Sequence, residues 1–177
     1  AKTGGPKPSE LLTKSALKNA SVVLQATSGS TNAIVHLAAI AGRAGITYDL
    51  QELDRVGRDV PVLLDLKPAG NNFMEDFHAG GSLPSLWRRL KDHLDLSAKT
   101  VNGETIGEIV ARWPAYVDDK VIRPLDNPLV KSEAIAILTG NLAPGGAAIK
   151  LASATPELFQ HEGPALVFDS LEDLEKR

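Results

Sequence analysis

Apolar side chains recur at helical spacing through the first part of the chain. One stripe, preceded by Thr13, consists of Ala16, Leu17, Ala20, Val23 and Leu24. A hydroxyl residue directly before such a stripe predicts a helix capped by Thr13. A second helix is predicted from the apolar residues Ala33, Ile34, Leu37, Ala38, Ile40 and Ala41. This segment is apolar on nearly every side, which indicates a buried helix, and Gly45 is its natural end.

Two further helices are predicted on either side of an extended segment. Asp49 and Glu52 have the spacing of a capping box and open a short helix through Val56. Ser82 is the candidate cap of a later helix, whose apolar positions are Leu83, Leu86, Trp87 and Leu90. Between them, the apolar run 60–64 predicts a buried strand or extended segment, and the run Lys-Pro-Ala-Gly-Asn-Asn that begins at residue 67 predicts a loop.

The pattern changes near residue 95 to short β-prone runs separated by turns. Asn102-Gly103 is a tight-turn signal, and Thr105 with Glu108 forms a capping box that opens a helix toward Trp113. The strand candidates are residues 121–122, 134–138, 147–151 and 165–168, and Ser170 is the expected cap of a last helix. We therefore predict an α/β fold, with a helical lobe at residues 1–94 and the start of a β-rich lobe at 95–177. The predicted strands are few, and the neighbouring strands that would complete their sheet are missing, which indicates a piece of a longer protein.

Composition and charge argue against several classes of function. The 177 residues are 43% hydrophobic and 23% charged, which is ordinary for a globular protein with a core. The net charge is -3, and the tightest basic cluster is Arg88, Arg89 and Lys91, which argues against a nucleic-acid partner. No stretch has the ~20 consecutive apolar residues of a membrane span, so a cytoplasmic protein is expected. Cysteine is absent, which excludes disulfides and thiolate metal ligands within the chain.

The best local candidate for binding is the run Ser28-Gly29-Ser30-Thr31-Asn32. It brings hydroxyl groups and an amide to a helix N-terminus, where free backbone N–H groups and the helix dipole favour an anion such as a carboxylate or phosphate. The ordinary use of these residue types is that Ser30 or Thr31 only caps the helix. His36, one turn further along, is read as a packed, hydrogen-bonded histidine, with catalysis or metal binding as the alternative.

Other polar clusters have structural explanations as well as chemical ones. Glu75, Asp76 and His78 are the densest ionisable group and have the donor types for a divalent metal. Adjacent Glu75 and Asp76 point in different directions in a helix or a strand, so structural pairing between the lobes is preferred. The proline-stiffened run 123–128 predicts an Arg123–Asp126 pair, and the run 140–146 predicts a turn. No Ser-His-Asp or zinc spacing emerges.

Seven ordered stretches of the chain together resemble one enzyme family, that of the dihydroxy-acid and phosphogluconate dehydratases. They are residues 8–13, 29–33 with His36-Leu37, 54–58 with 60–62, 74–78, 121–128, 140–144 and 167–169. The resemblance covers nearly the whole chain. It implies a hydro-lyase that removes water from a 2,3-dihydroxy carboxylic acid and gives a 2-keto acid through an enol.

The resemblance also implies cofactors. In the family, an iron–sulfur cluster, here expected to be [2Fe-2S], is bound by cysteines and activates the departing 3-hydroxyl. A magnesium ion holds the carboxylate and 2-hydroxyl, and a serine alkoxide takes the C2 proton. By resemblance, the cysteines and the magnesium-binding carboxylates and lysine precede this region, whereas a metal-ligand glutamate and the serine follow it. No catalytic residue and no metal ligand is therefore assigned here, and this chain alone is expected to be inactive.

For this chain, the resemblance implies the end of an N-terminal α/β domain, 1–94, and the start of a swivelling β-barrel-like domain, 95–177. Ser28 to Asn32 would face the active-site cleft as substrate-binding residues, although Ser28 stands where the family often has Gly. A sugar acid such as arabinonate is the favoured substrate. The alternatives are the dihydroxy acid of branched-chain amino-acid biosynthesis and a truncated, non-catalytic binding module. The remainder of the enzyme and further copies in a homo-oligomer are the expected partners, in the cytoplasm, or in mitochondria for a eukaryotic biosynthetic enzyme.

Overall fold

The computed structural model describes residues 4–177, which form a mixed α/β structure. The helices are α1 (Pro8–Leu11), α2 (Lys14–Ala26), α3 (Asn32–Arg43), α4 (Leu50–Asp59), α5 (Met74–Ala79), α6 (Ser82–Arg89), α7 (Ile106–Arg112) and α8 (Leu171–Glu175). The strands are β1 (Ile135–Leu138) and β2 (Ala147–Lys150), and short 3-10 turns occupy Lys91–His93, Leu151–Ser153 and Pro156–Leu158. The predicted α/β class is confirmed at this level. No helix among residues 4–177 has the length and apolar character needed to cross a membrane.

Three of the predicted helix caps are confirmed. The Thr13 hydroxyl accepts from the Ala16 N–H at 3.2 Å and begins α2. Thr105 and Glu108 form the full capping box of α7, with the Thr105 hydroxyl 3.2 Å from the Glu108 nitrogen and the Glu108 carboxylate 2.7 Å from the Thr105 nitrogen. The Ser170 hydroxyl accepts from the Asp173 N–H at 3.2 Å. Each cap satisfies an amide that the first helical turn leaves without a partner.

Two predicted caps differ from the structure. Asp49 caps α4 through the Gln51 N–H at 2.9 Å, but Glu52 does not complete a capping box and instead accepts from Arg55 at 2.7 Å. Ser82 is the first residue of α6 rather than its cap, and its hydroxyl donates to the His78 carbonyl at 3.1 Å. The preceding Gly81, at φ 120°, is the N-cap position.

The prediction that α3 is buried on nearly every side is wrong. Ile34 and Ala41 are buried, whereas Val35 is 68% exposed and Ile40 is 42% exposed. One face of the helix packs with Leu24, Leu53 and Ile135. The opposite face meets no other part of the chain that the structure describes, so apolar composition alone overstated the burial.

The larger core forms around α2, α6 and the extended segment 60–64. Its buried members include Val22, Ala26, Val60, Leu63, Leu64, Leu86, Leu90 and Ile122. The extended segment is confirmed, and it makes isolated antiparallel bridges from Val62 to Val130 and from Leu64 to Ile122. Through these bridges the first part of the chain is joined to residues beyond 120.

β1 and β2 form an antiparallel hairpin, with Ile135 opposite Lys150 and Leu138 opposite Ala147. The predicted strands at 134–138 and 147–151 are confirmed, and the turn at 140–146 connects them. The predicted strand at 165–168 is wrong, since these residues form neither strand nor helix, with Leu166 64% and Val167 87% exposed. A strand needs a neighbour for its backbone groups, and residues 165–168 have none in the described part of the chain.

Candidate functional site

The turn that follows α2 places Ser28 in an unusual conformation. The Ser28 and Gly29 amides donate to the Gln25 and Leu24 carbonyls, each at 3.0 Å, and so close the end of the helix. This closure puts Ser28 at φ 46°, in the left-handed region that favours glycine. Ser28 is only 8% exposed, and its hydroxyl is buried with no hydrogen-bond partner.

The rest of the predicted binding run is used to start α3. The Ser30 hydroxyl accepts from the Asn32 N–H at 3.2 Å, and the Ala33 and Ile34 amides donate to the Ser30 and Thr31 carbonyls. Ser30 and Asn32 are exposed, and Thr31 is half-buried. Thr31 is the N-cap position of α3 and its side chain makes no cap bond, but the Ser30 bond and these backbone bonds already engage the first amides of the helix. Substrate binding by Ser28 to Asn32 stays a prediction.

A cleft of about 260 Å³ opens beside Ser28. Its walls come from four parts of the chain: the end of α2, residues 62–71, residues 129–134 and residues 151–152. Val62, Leu64, Leu129, Val130 and Leu151 make most of the wall apolar, and its polar groups include Ser28 and Asp65. Neither Lys nor Arg lines the cleft. Of the predicted binding residues, the structure brings only Ser28 to this place.

Asp65 is held at the cleft by the loop that follows it. The Asn71 N–H donates to Asp65 Oδ1 at 2.7 Å, and the Asp65 carbonyl accepts from the Asn72 amide nitrogen and side chain at 3.2 and 2.9 Å. Gly70 packs so closely on this carboxylate that a Cβ there would collide with Asp65 Oδ1 and with the backbone of Leu66. The loop therefore holds the carboxylate in place, and the whole Asp65 residue is 8% exposed.

Two other buried polar side chains join the helices to β1. Gln25 donates to the Ile135 carbonyl at 2.8 Å and accepts from the Ile135 N–H at 2.9 Å. Asp54 accepts from the Ile137 N–H at 2.9 Å and from Arg58 at 2.7 Å. Burial by itself raises the pKa of Asp54, but the hydrogen bonds from Ile137 and Arg58 and the Arg58 charge outweigh it and hold that pKa below its ordinary value. These residues support the scaffold rather than the cleft.

The other candidates from the sequence lie apart from this cleft. His36 is exposed on α3, so its reading as a packed histidine is wrong. Asp76 accepts from the Phe73 N–H at 2.7 Å and His78 meets the Ser82 hydroxyl at 3.1 Å, which are bonds within one local segment and not the predicted pairing between lobes. Arg123 forms no ion pair with Asp126 among the described residues, and its Nε is buried without a partner.

Sequence reasoning missed Gln25, Asp54 and Asp65. Two of them carried a visible signal, because Gln25 interrupts the apolar run 22–26 and Asp65 directly follows the apolar run 62–64. A polar residue inside such a run is buried with its neighbours and must find hydrogen bonds there.

The residues of this chain do not fit the cofactors of an iron–sulfur hydro-lyase. Such clusters are held by cysteine thiolates, and the sequence has no cysteine. Within residues 4–177, no three or more His, Asp or Glu side chains are grouped to hold a metal ion. No chemical step through a cluster or a metal is therefore derived from this chain.

Comparison with known proteins identifies the family. The family model for the dihydroxy-acid/6-phosphogluconate dehydratase N-terminal region matches residues 2–109, and the model for the C-terminal region matches residues 120–177. The chain is 47% identical over 167 residues to an L-arabonate dehydratase of Azospirillum brasilense, covering 93% of this chain and 28% of that protein. It is 44% identical over 173 residues to a 6-deoxy-6-sulfo-D-gluconate dehydratase of Pseudomonas putida, covering 96% and 30%.

A dihydroxy-acid dehydratase of Methanospirillum hungatei is 42% identical over 165 residues, covering 93% of this chain and 30% of that protein. The chain thus spans less than a third of the length of the curated relatives it matches. The match to the N-terminal model ends at residue 109, and the match to the C-terminal model begins at residue 120. The predicted domain division at residue 94 stays a prediction. Matches to both regions, in order and over almost every residue, show that this chain belongs to the dihydroxy-acid/6-phosphogluconate dehydratase family.

Proposed function

We propose that the protein containing this chain is a hydro-lyase that converts a 2,3-dihydroxy carboxylic acid into a 2-keto-3-deoxy acid. The observation that carries the proposal is the match of both family regions, together with 42–47% identity to three proteins named as dehydratases. Such identity over more than 90% of the chain preserves the fold, and the family name describes one reaction type on related acids.

The favoured substrate is a sugar acid such as L-arabinonate. Two of the three relatives described above are named for sugar acids, at 47% and 44% identity, and the third is named for a dihydroxy acid, at 42%. The branched-chain dihydroxy acid is therefore the alternative substrate, and the two differ in the tail beyond C3. A sugar-acid tail carries hydroxyl groups, whereas the branched-chain tail carries alkyl groups.

The role we assign to this chain is to bind and orient, not to catalyse. In the family, an iron–sulfur cluster and a magnesium ion supply the activation of the leaving hydroxyl and the substrate carboxylate. The turn from Ser28 to Asn32 is the proposed substrate-facing element. It lies between the end of α2 and the start of α3, two helices that pack together in one core cluster through Leu24 and Ile34.

The proposed setting is the junction of two domains. Residues 1–94 would complete an N-terminal α/β domain, and residues 95–177 would begin a swivelling, barrel-like domain that closes over the site. We further propose a cytoplasmic homo-oligomer. The exposed apolar face of α3, which includes Val35, is a surface available for such contacts.

The test is 2-keto acid formation by the natural gene product. We expect the gene product, purified without oxygen, to release a 2-keto acid from L-arabinonate faster than from 2,3-dihydroxy-3-methylbutanoate. The 177-residue chain alone is the matched control and should release none, because it has no cysteine to bind a cluster. Activity of the isolated chain would contradict the role assigned here.

A non-catalytic binding module is the second candidate, favoured by the absence of cysteine. The intact mass of the natural gene product separates the two. A mass far above 18.8 kDa supports the hydro-lyase, whereas a mass near 18.8 kDa supports the binding module.

A further inference from the structure

Asp65 is a buried carboxylate whose hydrogen bonds are concentrated on Oδ1. Oδ1 accepts one good bond, from the Asn71 N–H at 2.7 Å, and the Asn71 side chain lies 3.4 Å from each oxygen. No Lys or Arg pairs with it among residues 4–177. An ionised carboxylate has about four lone-pair sites, and a buried one is costly unless donors fill them. Oδ2 therefore has room for further donors.

A second, independent feature lies on the same cleft. Ser28 also lines it, is more than nine-tenths buried, and has a hydroxyl without any hydrogen-bond partner. Its left-handed backbone at φ 46° costs free energy that glycine would avoid. Buried polar groups are nearly always satisfied, so an unpaired hydroxyl beside a buried carboxylate with one long bond to Oδ2 indicates a polar ligand.

The charges around the cleft select the chemistry of that ligand. Asp65 and Glu133 are both acidic, and no lining residue is basic, so a carboxylate or phosphate group would be repelled. The apolar walls, such as Val62 and Leu129, suit the C–H faces of a carbon chain. A short carbon chain with several hydroxyl groups has the donors, the absence of negative charge and the C–H faces that this cleft favours. The cleft volume of about 260 Å³ lies below the usual range for a whole small-molecule site, which fits one part of a substrate.

We propose that this cleft binds the hydroxylated tail of a sugar acid and that Asp65 is the residue that distinguishes this tail from an alkyl tail. The inference rests on the proposed function and deepens it by naming the cleft and the residue that would select the substrate tail. Asp65 Oδ2 accepts from the tail hydroxyl groups, and the carboxylate end of the substrate points away from the acidic cleft. An alkyl tail offers no donor to Asp65 Oδ2, and sites built to bond a hydroxyl reject the analogue that lacks it.

The direct test is hydrogen–deuterium exchange of the natural gene product with neutral tail analogues. Arabinitol, with five hydroxyl groups, is expected to slow exchange in peptides covering residues 60–72. Pentane-1,2-diol, of the same length, is the matched control and should not. Asp65→Asn keeps an oxygen for the Asn71 N–H but loses the charge, and it should weaken the arabinitol effect by roughly tenfold in concentration. Equal protection by both compounds, or protection that Asp65→Asn leaves unchanged, overturns the proposal.

Kinetics provide the second readout. In the active enzyme, Asp65→Asn should lower kcat/KM for L-arabinonate by at least roughly tenfold. It should change kcat/KM for 2,3-dihydroxy-3-methylbutanoate by less than about twofold. A merely structural role would lower both equally, and unfolding would appear as a lower Tm. The matched control is Asp169→Asn, an exposed residue that does not line the cleft.

The two proposals fail in different ways. A gene product that dehydrates neither acid defeats the proposed function, whatever arabinitol does. A gene product that dehydrates both acids with a ratio that Asp65→Asn does not change defeats only the assignment of Asp65.

Discussion

Residues 14–138 and residues 151–177 are both rich in apolar side chains, but only the first region buries them. In the first, Leu63, Leu86 and Ile122 are completely buried, whereas in the second Val167 is almost fully exposed. α8 forms in the second region all the same, because Ser170 caps it. A side-chain cap lies within the segment that it starts, whereas burial requires partners distant in sequence, and the first region has them.

Polar side chains supply many of those distant links. Gln25 reaches from α2 to Ile135, Asp54 reaches from α4 to Ile137, and Asn19 exchanges two bonds with Asp95 at 2.8 and 2.9 Å. Gln25 and Asp54 satisfy the edge of β1 that β2 does not cover, so helix side chains take the place of a neighbouring strand. The second region has no such side chain among its described residues, and its side-chain bonds lie within α8 and its cap.

The largest expected effect is therefore at Gln25. Gln25→Ala leaves the buried N–H and C=O of Ile135 without partners, at roughly 1–3 kcal/mol each, and opens a cavity. We expect a loss of about 4 kcal/mol in the free energy of unfolding, measured by urea denaturation. Gln160→Ala is the matched control in the second region, where the side chain is exposed, and should change it by less than about 0.5 kcal/mol. Similar losses at both positions would remove the distinction between the regions.

What the sequence predicted follows the same division between local and distant interactions. The caps at Thr13, Thr105 and Ser170 were predictable because a cap and its amide lie within three residues. The exposure of α3 and the lack of a strand at 165–168 were not, since both depend on whether a distant partner is present. In the candidate site, Ser28 was selected as part of the predicted binding run, but Asp65 was missed because its burial depends on the packing of residues 66–72 around it.

An intermediate effect is expected at Asp54, and it depends on pH. The pKa of Asp54 is held below its ordinary value, so the folded protein binds this proton less readily than the unfolded chain. The contribution of ionised Asp54 to the free energy of unfolding is therefore complete above the unfolded pKa of about 3.9. It is lost as pH falls through the lower pKa of the folded protein. Asp54→Asn should cost about 2 kcal/mol at pH 7, because a charged acceptor strengthens the bonds from Ile137 and Arg58.

Urea denaturation of both proteins between pH 7 and pH 2.5 measures this dependence. The difference in the free energy of unfolding between wild type and Asp54→Asn should become smaller below about pH 4. Asp169→Asn, in the exposed second region, should change the free energy of unfolding by less than about 0.5 kcal/mol at pH 7. A constant difference across the pH range would mean that the charge of Asp54 does not contribute.

The smallest expected effect has the opposite sign, because Ser28 is the exception within the well-satisfied region. Ser28→Gly removes a buried hydroxyl without a partner and relieves a left-handed backbone at φ 46°. The relief of about 1–2 kcal/mol and the removal of the unsatisfied group outweigh the roughly 0.5–1 kcal/mol that glycine adds to the entropy of the unfolded chain. We expect a net gain of about 1 kcal/mol in urea denaturation.

Ser28→Ala separates the two contributions, since it removes the hydroxyl but keeps the strained backbone. It should stabilise the protein less than Ser28→Gly does, and an equal gain would mean that the backbone carries no strain. Ser30→Gly is the matched control two residues away, where the exposed hydroxyl accepts from the Asn32 N–H, and it should cost a few tenths of a kcal/mol. If glycine at position 28 makes the protein more stable, then folding does not explain the serine there. Ligand binding in the cleft beside Ser28 would explain it. Ser28→Gly should therefore be more stable and should also bind arabinitol more weakly, and stabilisation without weaker binding would leave the strain at Ser28 unexplained.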